Sequence, residues 1–223
     1  MNRSVIVWAC AALAVAACSR VSDGVPVADP SRPAAVQATP TTVPSASPDP
    51  LPGVMPTTGS PPPAGPFCVP AVLPALRTVA RVTDPGAPTA TVAVPDGWSM
   101  TSGTGDVGAR LEGPDGMWAE VTITATSLDP EATFREYVDD LTAGSIMSTV
   151  SMLPADMCGF SGQRLMGMLS DGGDSIEYED RLVQVPTGNG DHLIAIHVQA
   201  PSGAPGFADA AAHVTQDFEV GLP

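Results

Sequence analysis

The chain has 223 residues, 43% of them hydrophobic and 15% charged, with 24 Asp and Glu against nine Arg, no Lys, and a formal net charge of −15. That balance excludes nucleic-acid binding, because gripping phosphates takes clustered Lys and Arg. It equally excludes polybasic attraction to anionic lipid headgroups. The first element is an apolar run of thirteen residues, Val5 to Ala17, preceded by Arg3. A transmembrane helix needs roughly 20 such residues, so residues 1–17 read as a cleavable export signal with small residues before the cut.

Val15-Ala16-Ala17-Cys18 resembles the bacterial lipobox. The resemblance implies cleavage before Cys18 by signal peptidase II and a diacylglyceryl thioether on Cys18. The protein is then expected to be exported and lipid-anchored on the outer face of the cytoplasmic membrane. Residues 18–66 follow as a stalk, with thirteen prolines between Ser19 and Pro66 and almost no bulky apolar side chains. Such a composition cannot offset the entropy of ordering, so an extended, disordered tether is expected. The interleaved Thr39, Thr41, Thr42, Thr57 and Thr58 are candidates for O-glycosylation.

Hydrophobic periodicity starts at Phe67, and residues 67–223 form the expected globular domain. Phe67 to Val82 reads as a short helical turn around Leu73, Leu76 and Val79, held down by Cys68. Thr91 to Trp98 is a strand ending in a Pro95-Asp96-Gly97 turn. Ala109 to Glu112 leads into a second turn, Gly113 to Gly116. Met117 to Thr126 alternates, with Ala119, Val121 and Ile123 on one face and Glu120, Thr122 and Thr124 on the other. Asp129-Pro130-Glu131 is a helix start, and Phe134, Tyr137, Val138 and Leu141 form its apolar stripe. Strand-like runs follow at Ile146–Leu153, Gly162–Leu169, Ser175–Val185 and His192–Gln199. Turn residues separate the last three of these, as in an antiparallel meander. Pro205 to Gln216 reads as a second helix, and Asp217 to Val220 closes the chain. The expected class is α+β: an antiparallel β-sheet covered by two or three helices, packed mainly on one face.

Cys10 leaves with the signal and Cys18 is the lipid site, so Cys68 and Cys158 remain. Two thiols in an oxidising compartment are expected to form one disulfide. No CxxC spacing supports a metal, and neither metal nor cofactor is expected. Gly159-Phe160-Ser161-Gly162 fails as a nucleophile elbow because Gln163 stands where glycine is required. His192 and His197 lie on opposite faces of one strand, so they cannot act jointly. His197 reads as solvent-facing and His213 as a polar helix position. Asp171, Asp174, Glu177, Glu179 and Asp180 read as a solvated hairpin without the order of a calcium loop. Met166 and Met168 share one strand face. They fill core, or they form with Phe134 and Tyr137 a groove between sheet and helix for an acyl chain.

The strand ending Val94-Pro95-Asp96-Gly97-Trp98, the helix from Asp129-Pro130 with Phe134, Tyr137 and Leu141, the meander, Ala200-Pro201 and the closing Phe218-Glu219-Val220 are similar in order to the actinobacterial Lpp-LpqN lipoproteins. That resemblance implies a PsbP-like α/β/α sandwich and a role in the cell envelope, with no catalytic residue to carry over. The expected function is a monomeric, non-enzymatic binding or scaffold module. Its expected partners are the membrane through the anchor and an envelope lipid or protein. A lipid carrier is the alternative, and an enzyme of unrecognised type is a further one.

Overall fold

The computed structural model describes residues 51–56 and 65–223. The export signal, Cys18 and most of the expected stalk lie outside the described residues. Among the described residues, eleven strands form two antiparallel sheets, and two α-helices pack on them. The smaller sheet has the order β1-β11-β3-β2, from Gly65–Cys68, Glu219–Leu222, Thr89–Ala93 and Arg77–Ala80. The larger has the order β4-β5-β6-β10-β9-β8-β7. Its strands are Ser99–Thr101, Val107–Glu112, Trp118–Thr126, Gly190–Pro201, Ser175–Thr187, Gly162–Ser170 and Met147–Pro154.

The long meander forms as its turn residues dictate. Gly188 and Asn189 join β9 to β10 with Thr187 opposite Gly190, and the ladder then runs unbroken to Ile176 opposite Pro201. On β6 the alternation buries Ala119, Val121 and Ile123 and leaves the intervening side chains facing outward. Those buried residues belong to the main core, which the two sheets and α2 (Phe207–Val214) enclose. Trp98 anchors it at 8% exposure, against Gly113, where a Cβ would lie 2.3 Å from the indole.

Helix α1 (Pro130–Thr142) starts as its sequence requires: the Asp129 carboxylate accepts from the Ala132 amide at 2.8 Å, and Pro130 opens the first turn. It buries Phe134 against Leu165, Tyr178, Leu182, Leu193 and Ala195 on the opposite face of the larger sheet. The two helices therefore lie on opposite faces and not mainly on one. Both faces of the central strands β9 and β10 are apolar over much of their length, so each face needs its own cover.

Cys68 and Cys158 are joined in a disulfide, 90 residues apart in sequence and 5.8 Å between Cα atoms. Cys158 and Gly159 have φ of 55° and 85°, the pair of positive values that a tight two-residue hairpin requires. Two further expectations need correction. Phe67 to Val82 holds no helix; it contains the end of β1, a loop and β2, because Pro70 and Pro74 interrupt any helical ladder. The domain also begins before residue 67. Gly162 N–H donates to Gly53 O at 2.9 Å, Gln163 Nε2 to Pro52 O at 2.8 Å, and Met55 N–H to Ser161 Oγ at 2.9 Å. Val54 packs onto the α1 core, so this short strap belongs to the fold despite its stalk-like composition.

Candidate functional site

Helix α1 covers β8, β9 and β10 but leaves the outward face of β6 open. The open cleft along that edge measures about 590 Å³. One wall is the helical face of Thr133, Glu136, Tyr137, Asp140 and Leu141; the other is the strand row Trp118, Glu120, Thr122, Thr124 and Thr126. Periodicity produces both walls: spacings of three and four residues share a helix face, and spacings of two share a strand face.

The floor is built by register. Across β6, β10 and β9, Glu120 stands opposite His197, which stands opposite Asp180. The adjacent row is Trp118, Gln199 and Tyr178. These six side chains make a polar and aromatic patch beside the apolar rows that carry Phe134. The Asp180 carboxyl is fully buried and lies 2.5 Å from His197 Nδ1. The other imidazole nitrogen, Nε2, lies 3.0 Å from the Gln199 side-chain oxygen. Trp118 flanks the imidazole at 5.2 Å between ring centroids, and Tyr178 stacks on it at 6.2 Å. Glu120 is held by Arg110 at 2.6 Å.

Burial would by itself favour neutral imidazole, but Asp180 outweighs it and holds His197 above its ordinary range, with Gln199 and Glu120 contributing. Burial pushes the Asp180 carboxyl up, against the lowering effect of His197. Burial raises the Tyr137 pKa well above that of the usual phenol, and the negative charge of the neighbouring Asp180 adds to the shift. Burial raises Tyr178 to about 12, with Asp180 adding to the shift. Because both ring nitrogens of His197 meet oxygen acceptors, the arrangement favours a fixed imidazolium over a free general base.

His197 is therefore not the solvent-facing residue expected from sequence, and Asp180 is not part of a solvated hairpin. Tyr178, Asp180 and Leu182 share the inward face of β9, a parity already present in their spacing. The expected groove does not assemble either. Leu165 packs beneath α1 with Phe134, whereas Met166 and Met168 sit at the alternate parity of β8, and Met168 is 43% exposed. Phe134 itself has no exposure and fills core, so of that quartet only Tyr137 lines the cleft. His192 is buried on the other sheet face, 3.9 Å from Asp84, and His213 is exposed on α2. Among the described residues, no group of three or more His, Cys, Asp and Glu side chains is arranged to hold a metal ion. No helix among them is long and apolar enough to cross a membrane.

No known family model matches the sequence, and no curated protein matches it. Among solved structures, the chain is similar to LpqN of Mycobacterium tuberculosis, which is described as involved in cell envelope biogenesis. The likeness has a TM-score of 0.52 at 18% identity and covers 66% of this chain and 91% of LpqN. At that identity what the two proteins share is a fold, and this chain is a distant structural neighbour of LpqN.

Proposed function

We propose that this chain is a non-enzymatic binding module of the cell envelope, related to the Lpp-LpqN lipoproteins, exported and anchored through Cys18. It holds a small ligand in the cleft between α1 and β6. The observation that carries the reading is the convergence of Trp118, Glu120, His197 and Tyr137, from two strands and a helix, on one open cleft above the fully buried Asp180. A buried charged pair beneath an open cleft is costly to build and gives the floor a fixed shape and field. The involvement of LpqN in envelope biogenesis agrees with this placement. A binding role is favoured over catalysis because His197 spends both ring nitrogens on Asp180 and Gln199.

The lipid-carrier alternative is less favoured by this cleft. Trp118, Tyr137, Leu141 and Leu193 offer an acyl chain apolar contact, but the threonine hydroxyls and carboxylates interspersed among them would lose water to it without gaining a partner. Native mass spectrometry of the full chain isolated from its own host tests the proposal. A small polar adduct on the wild type, lost in Trp118→Ala and Tyr137→Ala, is the expected result. No adduct, or one retained by both variants, counts against the cleft as the binding site. A long-chain lipid lost in both variants would instead restore the carrier.

A further inference from the structure

The cleft has a pronounced charge asymmetry. Asp106, Glu120, Glu136 and Asp140 all line it, with Asp180 buried beneath. Against these five carboxyls stand the internal cation His197 and the exposed Arg110, which is already paired with Glu120. Among the described residues, Asp106, Glu136 and Asp140 make no ion pair. They sit on different walls: Asp106 just before β5, Glu136 and Asp140 one turn apart on α1. A divalent cation needs several oxygens converging within coordination distance, and no such cluster forms among the described residues. Dispersed carboxylates suit positive charges that are themselves spaced along a ligand. The aromatic faces of Trp118 and Tyr137 are compatible with the same choice, since an ammonium is attracted to the π-face of such rings. The threonine row adds hydroxyl donors and acceptors for the polar remainder of the ligand.

We infer that the cleft selects a small organic molecule carrying more than one ammonium group, of the amino-sugar or polyamine type. This rests on the reading of the cleft as the binding site and specifies its ligand class. The volume of about 590 Å³ lies in the ordinary range for small-molecule sites. Asp106, Glu136 and Asp140 are exposed, so a neutral sugar would leave them to water and gain nothing from their charge, whereas an anionic ligand would be repelled by them. Spaced ammonium groups can answer both walls while an aliphatic or sugar ring lies over Trp118.

The test is calorimetric titration of the full chain, at mildly acidic pH and low salt, with three probes: spermidine, a glucosamine tetramer, and the same tetramer fully N-acetylated. The acetylated form keeps the sugar and removes the charge. Binding of at least one ammonium probe about tenfold tighter than the acetylated tetramer, weakening as salt rises, is the expected result. Spermidine without the tetramer points to polyamines, and the reverse to amino sugars. Glu136→Gln combined with Asp140→Asn, both on the exposed face of α1, should weaken the ammonium probe about tenfold. Asp106→Asn supplies an independent variant on the other wall. Equal binding of the acetylated tetramer with a Trp118 fluorescence change overturns the charge inference and leaves the cleft reading standing. Absence of binding by both ammonium probes, or unchanged affinity in the folded variants, overturns the inference outright.

Discussion

Asp180→Asn removes one charge from the cleft floor while keeping the shape of the side chain. In the wild type a fully buried carboxyl holds His197 above its ordinary pKa from 2.5 Å. After the substitution, burial acts on the imidazole without its strongest opponent, so the His197 pKa should fall below the wild-type value. The stability cost is then pH-dependent. A group whose folded pKa is raised binds more protons folded than unfolded, so it stabilises fully below the unfolded value and loses that contribution as pH rises through the folded value. For His197 that window opens near its ordinary pKa of about 6.5 and extends upward. Below it, deleting one partner of a buried ion pair costs roughly 3 kcal/mol, which for a domain of this size lowers Tm by about 6–12 °C. Well above it His197 is neutral and Asp180 is left as a buried carboxylate whose raised pKa opposes folding, so the loss falls to that of one hydrogen bond, about 1 kcal/mol, or less. Urea unfolding of both proteins at several pH values gives the difference, and NMR titration of the His197 ring gives the pKa. A destabilisation that is equal at acidic and alkaline pH, or an unmoved His197 pKa, would refute the reasoning.

Three other outcomes are expected. Replacing Cys68 and Cys158 with serine should cost about 4–5 kcal/mol, from the loop entropy of a 90-residue closure, read from urea midpoints. Labelling of either thiol in the native oxidised protein would remove that staple. Gly53→Ala should undock the strap, because Gly53 has φ of +77° and its Cβ would lie 1.9 Å from the Gly162 carbonyl oxygen. Faster hydrogen exchange at the Gly162 and Met55 amides reports it, and unchanged protection contradicts it. Cys18→Ala should move the chain from the membrane to the soluble fraction without changing its melting temperature, since membrane attachment is assigned to acyl chains; continued sedimentation with membranes contradicts the anchor.

Much of the fold is legible because its signals are local. The Asp129-Pro130 cap, the β6 alternation and the Gly-rich turns of the meander each act within a few residues, and each forms where sequence places it. The partition into two sheets is not local. It depends on β11 crossing the chain to lie between β1 and β3, and four-residue strands carry too little periodicity to announce a partner. The strap at Leu51–Met55 was hidden for a related reason: its partners Ser161, Gly162 and Gln163 lie more than a hundred positions away.

The candidate site falls between these cases. Counting back seven residues on each strand from the Thr187–Gly190 closure places Asp180 opposite His197. The pairing was therefore open to hairpin arithmetic, but the surrounding acids made Asp180 look like one more solvated carboxylate. Only parity separates it from Glu177 and Glu179, which fall on the other face. The proposed groove at Met166 and Met168 failed for the same reason, because a shift of one residue moves a side chain to the opposite face.

The central claim, that the α1–β6 cleft is where this protein binds, is tested most directly by the fluorine spectrum of 5-fluorotryptophan-labelled protein on addition of envelope extract from its own host. Of the three tryptophans, Trp118 lines the cleft, Trp98 is buried in the separate core beneath α2, and Trp8 falls in the expected export signal. The account predicts that the Trp118 resonance shifts while that of Trp98 holds. Movement of Trp98 alone, or of neither, would contradict it.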